Sequence, residues 1–199
     1  MDSPPPVAPL EYLRRQLERF APLPNDEWEL LPPHLEERTL PKGALFVEAG
    51  KRAPWVAFVL AGTFRQYYTV DGVERSTYFY LEGDLLCDYL GCLRGRPAGL
   101  SIEVLEAAQV LCFPYEVIDT LYRQRPAWGT LGRKLAEYLA AGLEERMVSL
   151  LTERPEARYA ALLAGNKTRI LERIPQQYIA SYLGITPVSL SRIRGRRGA

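Results

Sequence analysis

The spacing of apolar residues changes twice along this chain, and these changes limit how it can fold. From about residue 36 to residue 114, apolar and polar side chains alternate in short runs such as TFRQYYTV and ERSTYFYL, a period typical of strands. Four turn signals separate these runs: Pro41-Lys42-Gly43, Ala61-Gly62, Asp71-Gly72 and Glu82-Gly83-Asp84. The Asp71-Gly72 pair, between two aromatic-rich runs, is the clearest hairpin signal. Several short strands at this spacing predict an all-β sandwich, barrel or roll.

Helical spacing flanks this strand region on both sides. Within residues 9–20, apolar side chains recur at steps of three and four residues, which predicts an amphipathic helix. These side chains are Leu10, Leu13, Leu17 and Phe20. Helical spacing returns near Tyr115, and residues 127–153 are expected to form one long helix. The chain is therefore predicted to be an α+β protein.

The long helix carries an unbroken apolar stripe that something must cover. Its members recur every four residues: Leu131, Leu135, Leu139, Leu143, Met147 and Leu151, with Tyr138 and Leu150 beside them. One hypothesis packs the stripe on the strand region, and the other pairs it with a second copy of the chain. For the second hypothesis the candidate dimerisation residues are Leu131, Leu135, Tyr138, Leu139, Leu143 and Met147.

The end of the chain is basic, although the whole chain has a formal net charge of only +1. From Asn166 onward there are seven basic residues and one acidic residue. Basic charge concentrated in one segment favours a polyanionic partner more than the average over the chain indicates.

The closing sequence QQYIASYLGITPVSLSRI indicates two short helices that cross closely. One apolar side would be formed by Ile179, Leu183, Ile185, Leu190 and Ile193. Ala180 is small enough for a close crossing, and Gly184 can adopt the left-handed conformation of a tight turn. Thr186 can cap the second helix, with Pro187 at its first position. This order predicts a helix-turn-helix.

If Leu190 and Ile193 point inward, the helical period turns Val188 and Arg192 most directly outward. Such a helix suits the major groove of duplex DNA, where an arginine can bond a guanine edge through two hydrogen bonds. The candidate DNA-binding residues are Thr186, Val188, Ser189, Arg192, Arg194, Arg196 and Arg197. Lys167, Arg169 and Arg173 are expected to add salt-sensitive contacts with phosphates.

The predicted elements follow each other as a strand region, a long helix and a helix-turn-helix. This order resembles that of the cyclic AMP receptor / fumarate and nitrate reduction (Crp/Fnr) superfamily of bacterial transcription regulators. LPKGALFVEAGKRAPWVAFVLAGTFRQYY is similar to the family's first strands, with a glycine turn at Gly62. GDLLCDYLG and LSIEVLEAAQVLCFPYEVI are similar to its phosphate-binding cassette and last strands. The resemblance implies a homodimer that binds a two-fold symmetric DNA operator, with RNA polymerase as a further partner.

The implied architecture has three parts. Residues 1–125 would form a β-roll (jelly roll) similar to a cyclic-nucleotide-binding domain, together with the N-terminal helix. Residues 126–153 would form the long dimerisation helix, and residues 154–199 the helix-turn-helix domain. The family's usual wing hairpin after the second helix is not evident before Ala199.

The chain departs from the pattern of the family's cyclic-nucleotide binders. Aligned on the cassette, the candidate pocket residues are Gly83, Asp88, Leu100 and Ser101. Leu100 stands where those proteins place the arginine that binds the cyclic phosphate, and a buried anion without a cation is costly. Arg94 or Arg96 in the intervening loop could still reach inward. We therefore expect an unknown small-molecule effector, a protein contact or no effector, rather than cyclic AMP.

Other classes of protein fit the sequence less well. The longest apolar run, WVAFVLAG, is too short to span a membrane, and the first residues do not resemble a secretion signal, so a cytoplasmic protein is expected. Cys87, Cys92, Cys112 and the single His34 lack the spacing of metal ligands, and no sequence neighbour would lower the pKa of Cys87 or Cys92. We expect no enzyme activity, no metal and no cofactor.

The alternative function is a β-roll module for a small ligand or a protein, whose helical C-terminus mediates protein contacts.

Overall fold

A computed structural model describes residues 8–164 and 168–196 of the protein. The helices are α1 (Pro9–Glu18), α2 (Asn25–Trp28), α3 (Tyr89–Arg94), α4 (Tyr115–Gln124), α5 (Pro126–Thr152), α6 (Pro155–Ala164), α7 (Thr168–Arg173), α8 (Gln176–Leu183) and α9 (Pro187–Gly195), with a 3-10 helix at Pro32–His34. The strands are β1 (Glu36–Leu40), β2 (Leu45–Val47), β3 (Trp55–Val70), β4 (Val73–Tyr80), β5 (Leu85–Leu86) and β6 (Ser101–Pro114). A β-sheet domain, β1 to β6, thus precedes a series of helices, and the predicted α+β class is confirmed.

Two long strands organise the sheet. β3 and β6 pair antiparallel along most of their length, and the order across the sheet is β1-β6-β3-β4, with β2 on β6 and β5 on β3. Alternate residues of each long strand belong to different cores. Val56 and Phe58 pack with the helices, whereas Ala57 and Val59 pack inside the sheet domain. Because both faces are buried, this stretch is continuously apolar rather than alternating.

The predicted turn at Ala61-Gly62 is wrong. β3 continues through both residues, and its pairing with β6 shifts register between Val59 and Phe64. Gly62 has φ +99°, and a Cβ built on it would lie 2.6 Å from the Cβ of Ala108 in β6. The glycine therefore lets two strands approach closely at an irregularity inside one strand, instead of ending a strand.

The predicted hairpin at Asp71-Gly72 is confirmed. Val70 of β3 pairs with Val73 of β4, and the two intervening residues have φ values of 51° and 74°. Positive φ at both positions is the geometry of the type I′ turn, whose twist matches that of the two strands.

The predicted N-terminal helix is confirmed as α1. Leu13 and Leu17 are buried against the β-sheet domain, together with Trp28 of α2. Leu10, which was expected on the same apolar face, is 41% exposed because it lies in the first turn of the helix, N-terminal to the buried residues.

The predicted long helix corresponds to α5, which has 27 residues. Its N-terminus is held by α2, because the carboxylate of Glu27 accepts hydrogen bonds from the backbone N–H groups of Ala127 and Trp128. Trp128 is fully buried, and its indole N–H donates to the carbonyl of Glu27 at 3.0 Å. α5 therefore starts inside the protein's own core and extends away from it.

A third core joins the C-terminal helices to the sheet. Phe79 of β4 and Leu105 of β6 pack with buried residues of α6, α8 and α9. The other buried members of this core are Tyr159, Leu162, Ile174, which follows α7, Ile179, Ala180, Leu183, Leu190 and Ile193. Burial of these side chains holds the C-terminal helices on the β-sheet domain.

Candidate nucleic-acid interface

The turn between α8 and α9 has the predicted local geometry. Gly184 ends α8 in the left-handed conformation, at φ +72°. Its N–H donates to the carbonyl of Ser181, and the N–H of Ile185 donates to that of Ala180, both at 3.0 Å. These two bonds form a Schellman motif and satisfy carbonyl groups at the end of α8.

The start of α9 is capped as predicted. The Thr186 hydroxyl accepts a hydrogen bond from the Ser189 N–H at 3.2 Å, and the two side-chain oxygens lie 3.0 Å apart. Pro187 occupies the first turn, where its missing N–H leaves no partner unsatisfied. The hydroxyls of Thr186 and Ser189 therefore fix the backbone at the start of α9.

The faces of α9 also follow the helical period. Leu190 and Ile193 are buried, whereas Val188 is 61% exposed and Arg192 is exposed. Ser191, Gly195, Arg194 and Arg196 are exposed as well. Within residues 8–164 and 168–196, no carboxylate forms an ion pair with Arg192, Arg194 or Arg196. Arg197 lies outside the described residues.

The arginines of α7 have different surroundings, and their predicted role in phosphate contacts needs correction. Arg173 donates to Glu82 at 2.8 Å and to Glu106 at 3.0 Å, and Arg169 also donates to Glu82. Burial alone would raise the pKa of Glu82, but the hydrogen bonds and charges of Arg173 and the charge of Arg169 outweigh it, so the pKa is lowered. Both arginines are thus paired with carboxylates of the β-sheet domain. Lys167 lies outside the described residues.

A buried arginine that the sequence did not single out connects three helices. Arg158 of α6 donates to the carbonyl of Leu183, at the end of α8, at 2.9 Å and 3.1 Å. It also donates to the carbonyl of Glu153, just after α5, at 2.5 Å. Arg158 therefore satisfies carbonyl groups at the C-terminal ends of two helices, where the helix dipole favours a positive charge. The one indication in the sequence is that Arg158 lies four residues before Leu162, so that in a helix both residues share one face.

α8 is also attached directly to the β-sheet domain. The Ser181 hydroxyl accepts from the N–H of Ser76 in β4 at 3.0 Å, and the ring of Tyr182 packs on that of Phe79 with centroids 5.5 Å apart. The buried guanidinium of Arg65 lies 3.8 Å from the ring centroid of Tyr178 and donates to Ser76 at 2.8 Å. These contacts fix the orientation of α8, and through the Gly184 turn that of α9.

The four candidate pocket residues are engaged in the fold itself. Leu100 is buried in the apolar core of the β-sheet domain. The carboxylate of Asp88 caps α3 by accepting the N–H of Gly91 at 3.1 Å, and the Ser101 hydroxyl accepts the N–H of Ala49 at 3.1 Å. Gly83 lies beside α1, where an added Cβ would be 2.6 Å from the Tyr12 hydroxyl.

The expectation that Arg94 or Arg96 could reach inward is wrong. Both side chains are exposed, because α3 ends at Gly95 in a left-handed turn on the surface. The core beside Leu100 is filled by apolar side chains of β3, β6 and their neighbours, such as Val59 and Ile102. Neither arginine therefore compensates for Leu100 in binding an anion there.

Cys87 and Cys92 interact with each other, which their sequence spacing did not indicate. The hydrogen bond between the two thiols lowers the pKa of Cys92 and, together with burial, raises that of Cys87. The Cys92 thiol also donates to the carbonyl of Ala53 at 3.4 Å. Cys112 is buried, which raises its pKa to about 11.

The apolar stripe of α5 divides into two parts. Leu131 is fully buried in the protein's own core and Leu135 packs partly against it, so Leu131 is unavailable for contact with a second copy. The correction follows from the position of Leu131 in the first turns of α5, beside Trp128. The remaining candidates are exposed by 47% or more: Tyr138, Leu139, Leu143 and Met147. Leu150 and Leu151 are exposed too.

No helix among the described residues is both long and apolar enough to cross a membrane. In the same part of the chain, no three His, Cys, Asp or Glu side chains are grouped so that they could hold a metal ion.

Comparison with known proteins identifies the fold. Residues 37–125 match the profile of the cyclic nucleotide-binding domain family. FixK2 from Bradyrhizobium japonicum superposes with a TM-score of 0.65 at 22% identity, over 81% of this chain and 83% of FixK2. A Crp/Fnr-family protein from Eubacterium rectale also superposes with a TM-score of 0.65, at 18% identity, over 86% of this chain and 82% of that one. The chain has a Crp/Fnr-like fold.

The Crp/Fnr resemblance predicted from the sequence is thereby confirmed, and the match to the cyclic nucleotide-binding domain family covers the strand region and α4. The catabolite activator protein of Thermus thermophilus superposes with a TM-score of 0.54 at 23% identity, over 91% of this chain and 85% of that protein. No curated protein sequence matches the chain.

Proposed function

We propose that this protein is a homodimeric transcription regulator that binds duplex DNA in a sequence-specific manner. In this proposal α8 and α9 form a helix-turn-helix, and α9 enters the major groove. The observation that carries the proposal is the outward face of α9, where Arg192, Arg194 and Arg196 are exposed and unpaired among the described residues. Crp/Fnr-type regulators share the fold, which supports a regulatory role.

The candidate residues in and next to α9 have three different roles in this proposal. Arg192, near the middle of the outward face, would bond a guanine edge through its two parallel N–H donors. Arg194 and Arg196, nearer the end of α9, would contact phosphates and supply the salt-sensitive part of the affinity. Thr186 and Ser189 would hold the first turn of α9 in position through their hydrogen bonds. Arg197 would add a further phosphate contact.

A random pool of duplexes tests sequence-specific binding. Purified protein should enrich one two-fold symmetric sequence, with half-sites about one helical turn apart. On that operator, Arg192→Ala should cost about 1 to 3 kcal/mol and relax the preference at one base pair, whereas Arg196→Ala should weaken all sequences alike. If no sequence is enriched and binding does not weaken between about 50 and 200 mM salt, the proposal is wrong and a protein-contact module replaces it.

The exposed part of the α5 stripe supports the homodimer. An exposed apolar stripe at helical spacing is typical of a seam between two helices, and Leu143 and Leu151 are the most exposed members, at 70% and 78%. Leu143→Arg should give monomers in sedimentation. Leu93→Arg, at a leucine of α3 that is 56% exposed, serves as the control and should leave the dimer intact. A dimer that persists in Leu143→Arg would refute the seam.

Cyclic AMP is not the effector in this proposal. The position that aligns with a phosphate-binding arginine is the buried Leu100, and Asp88 already uses its carboxylate to cap α3. The effector would be another small molecule or a protein contact, and the DNA-bound dimer would act on RNA polymerase. Adding cyclic AMP should leave the affinity for the selected operator unchanged. A tenfold gain in affinity would contradict this part of the proposal.

A further inference from the structure

Val188 is an apolar side chain on a surface that is otherwise polar and basic. It is 61% exposed, it lies in the first turn of α9, and it precedes Arg192 by four residues. Its position is well defined, because Leu190 and Ile193 anchor the opposite face of α9 in the core. The capping bond from Ser189 to Thr186 fixes the backbone on either side of it.

The chemistry of the major groove limits what this side chain can recognise. Valine has no hydrogen-bonding group, and the apolar group that base-pair edges present in the major groove is the C5-methyl of thymine. We infer that Val188 selects a thymine through contact with its C5-methyl group. This inference rests on the proposed DNA binding and adds to it a base that arginine chemistry does not specify.

The stiffness of valine supports this role. A β-branched side chain in a helix has essentially one rotamer, so little freedom is lost when its methyl groups become buried against a base. Cytosine at the same position carries a hydrogen at C5 instead of the methyl group, so the apolar contact with Val188 would be lost, and valine offers no acceptor to the neighbouring amino group. Val188 should therefore discriminate thymine from cytosine in particular.

The spacing on α9 predicts where the thymine lies. Four residues of an α-helix advance about 6 Å along the axis. Successive base pairs are about 3.4 Å apart. The thymine is therefore expected one or two base pairs from the guanine that Arg192 contacts, in each half-site of the operator.

Replacement of single thymines by deoxyuridine tests the inference, because it removes only the methyl group. On the operator selected from the random pool, the protein should lose about fourfold in affinity per half-site at one thymine near the Arg192 guanine. Val188→Ala should bind the thymine and deoxyuridine operators equally. 5-Methylcytosine opposite guanine restores the methyl group without thymine, and it should bind the wild-type protein better than cytosine does.

Val70→Ala is the matched control, because Val70 is a similarly exposed valine, at 55%, in the hairpin of β3 and β4. It should respond to deoxyuridine as the wild-type protein does. If wild type and Val188→Ala lose the same affinity on deoxyuridine, or neither loses any, the inference is wrong and DNA binding by α9 still stands. If the wild-type protein selects no duplex, both the inference and the proposed function are wrong.

Discussion

The arginines of α7 and those of α9 belong to the same basic segment, yet their surroundings are opposite. Arg173 of α7 lies between Glu82 and Glu106 of the β-sheet domain, whereas Arg192 of α9 faces outward without a carboxylate partner among the described residues. A positive charge is available to DNA only where the fold brings no carboxylate or carbonyl group to it. The basic segment therefore contains two kinds of arginine: those of α7 attach the C-terminal helices, and those of α9 can contact a polyanion.

Arg158 and Arg146, which precede the basic segment, also attach the C-terminal helices to the rest of the protein. Arg158 bonds the ends of α5 and α8, and the guanidinium of Arg146 in α5 lies 3.9 Å from the ring centroid of Tyr182 and donates to its carbonyl. Burial lowers the pKa of Arg146. Through these contacts α8 is attached to α5 and α6 as well as to the β-sheet domain.

Removal of Arg158 should have the largest effect on stability. Arg158→Ala would leave the carbonyls of Leu183 and Glu153 without their charged donor, which costs about 2 to 4 kcal/mol. Urea unfolding followed by circular dichroism measures this loss. Arg154→Ala, one helical turn earlier and exposed, should change the free energy of unfolding by less than about 0.5 kcal/mol. Equal stability of the two variants would contradict an attaching role for Arg158.

The α7 contact should have a smaller, salt-sensitive effect. The Arg173 and Glu82 side chains are partly exposed, so a double-mutant cycle of Arg173→Gln and Glu82→Gln should give a coupling of about 1 kcal/mol at low salt, falling at high salt. The exposed pair Arg133 and Glu137 in α5 is the control and should give about 0.3 to 0.5 kcal/mol. Strictly additive effects of the Arg173 and Glu82 substitutions would show that this pair does not hold α7.

The pH dependence of the same contact should be smaller still. Because the pKa of Glu82 is lowered in the folded protein, its contribution is complete above the unfolded value of about 4.3 and is lost as the pH falls through the folded value. The difference in free energy of unfolding between wild type and Glu82→Gln should therefore shrink between pH 6 and acid below about pH 4. A constant difference over this range would argue against an ionised Glu82 as the partner of Arg173.

Features set by neighbouring residues could be predicted from the sequence. The Asp71-Gly72 hairpin, the Gly184 turn and the Thr186 cap each depend on a few adjacent residues, and the outward face of α9 follows from the helical period. The range of α5 was predictable for the same reason, since its apolar spacing is local.

Features set by distant residues could not be predicted. Glu82 and Glu106 are 91 and 67 positions from Arg173 in the sequence, so no local pattern identifies them as its partners. The stripe of α5 does not reveal that the core covers Leu131 and leaves Leu143 exposed. A glycine such as Gly62 is typical of turns, but here it allows the close approach of Ala108 from β6, which the sequence around it does not indicate.

The salt dependence of DNA binding tests most directly whether the arginines of α9, and not those of α7, contact DNA. The affinity for the selected operator should be measured against salt concentration for wild type, Arg196→Ala and Arg173→Ala. Loss of one phosphate contact lowers the slope of log affinity against log salt by about one. We predict this decrease for Arg196→Ala and an unchanged slope for Arg173→Ala. A decrease confined to Arg173→Ala would contradict the assignment of α9 as the surface that contacts DNA.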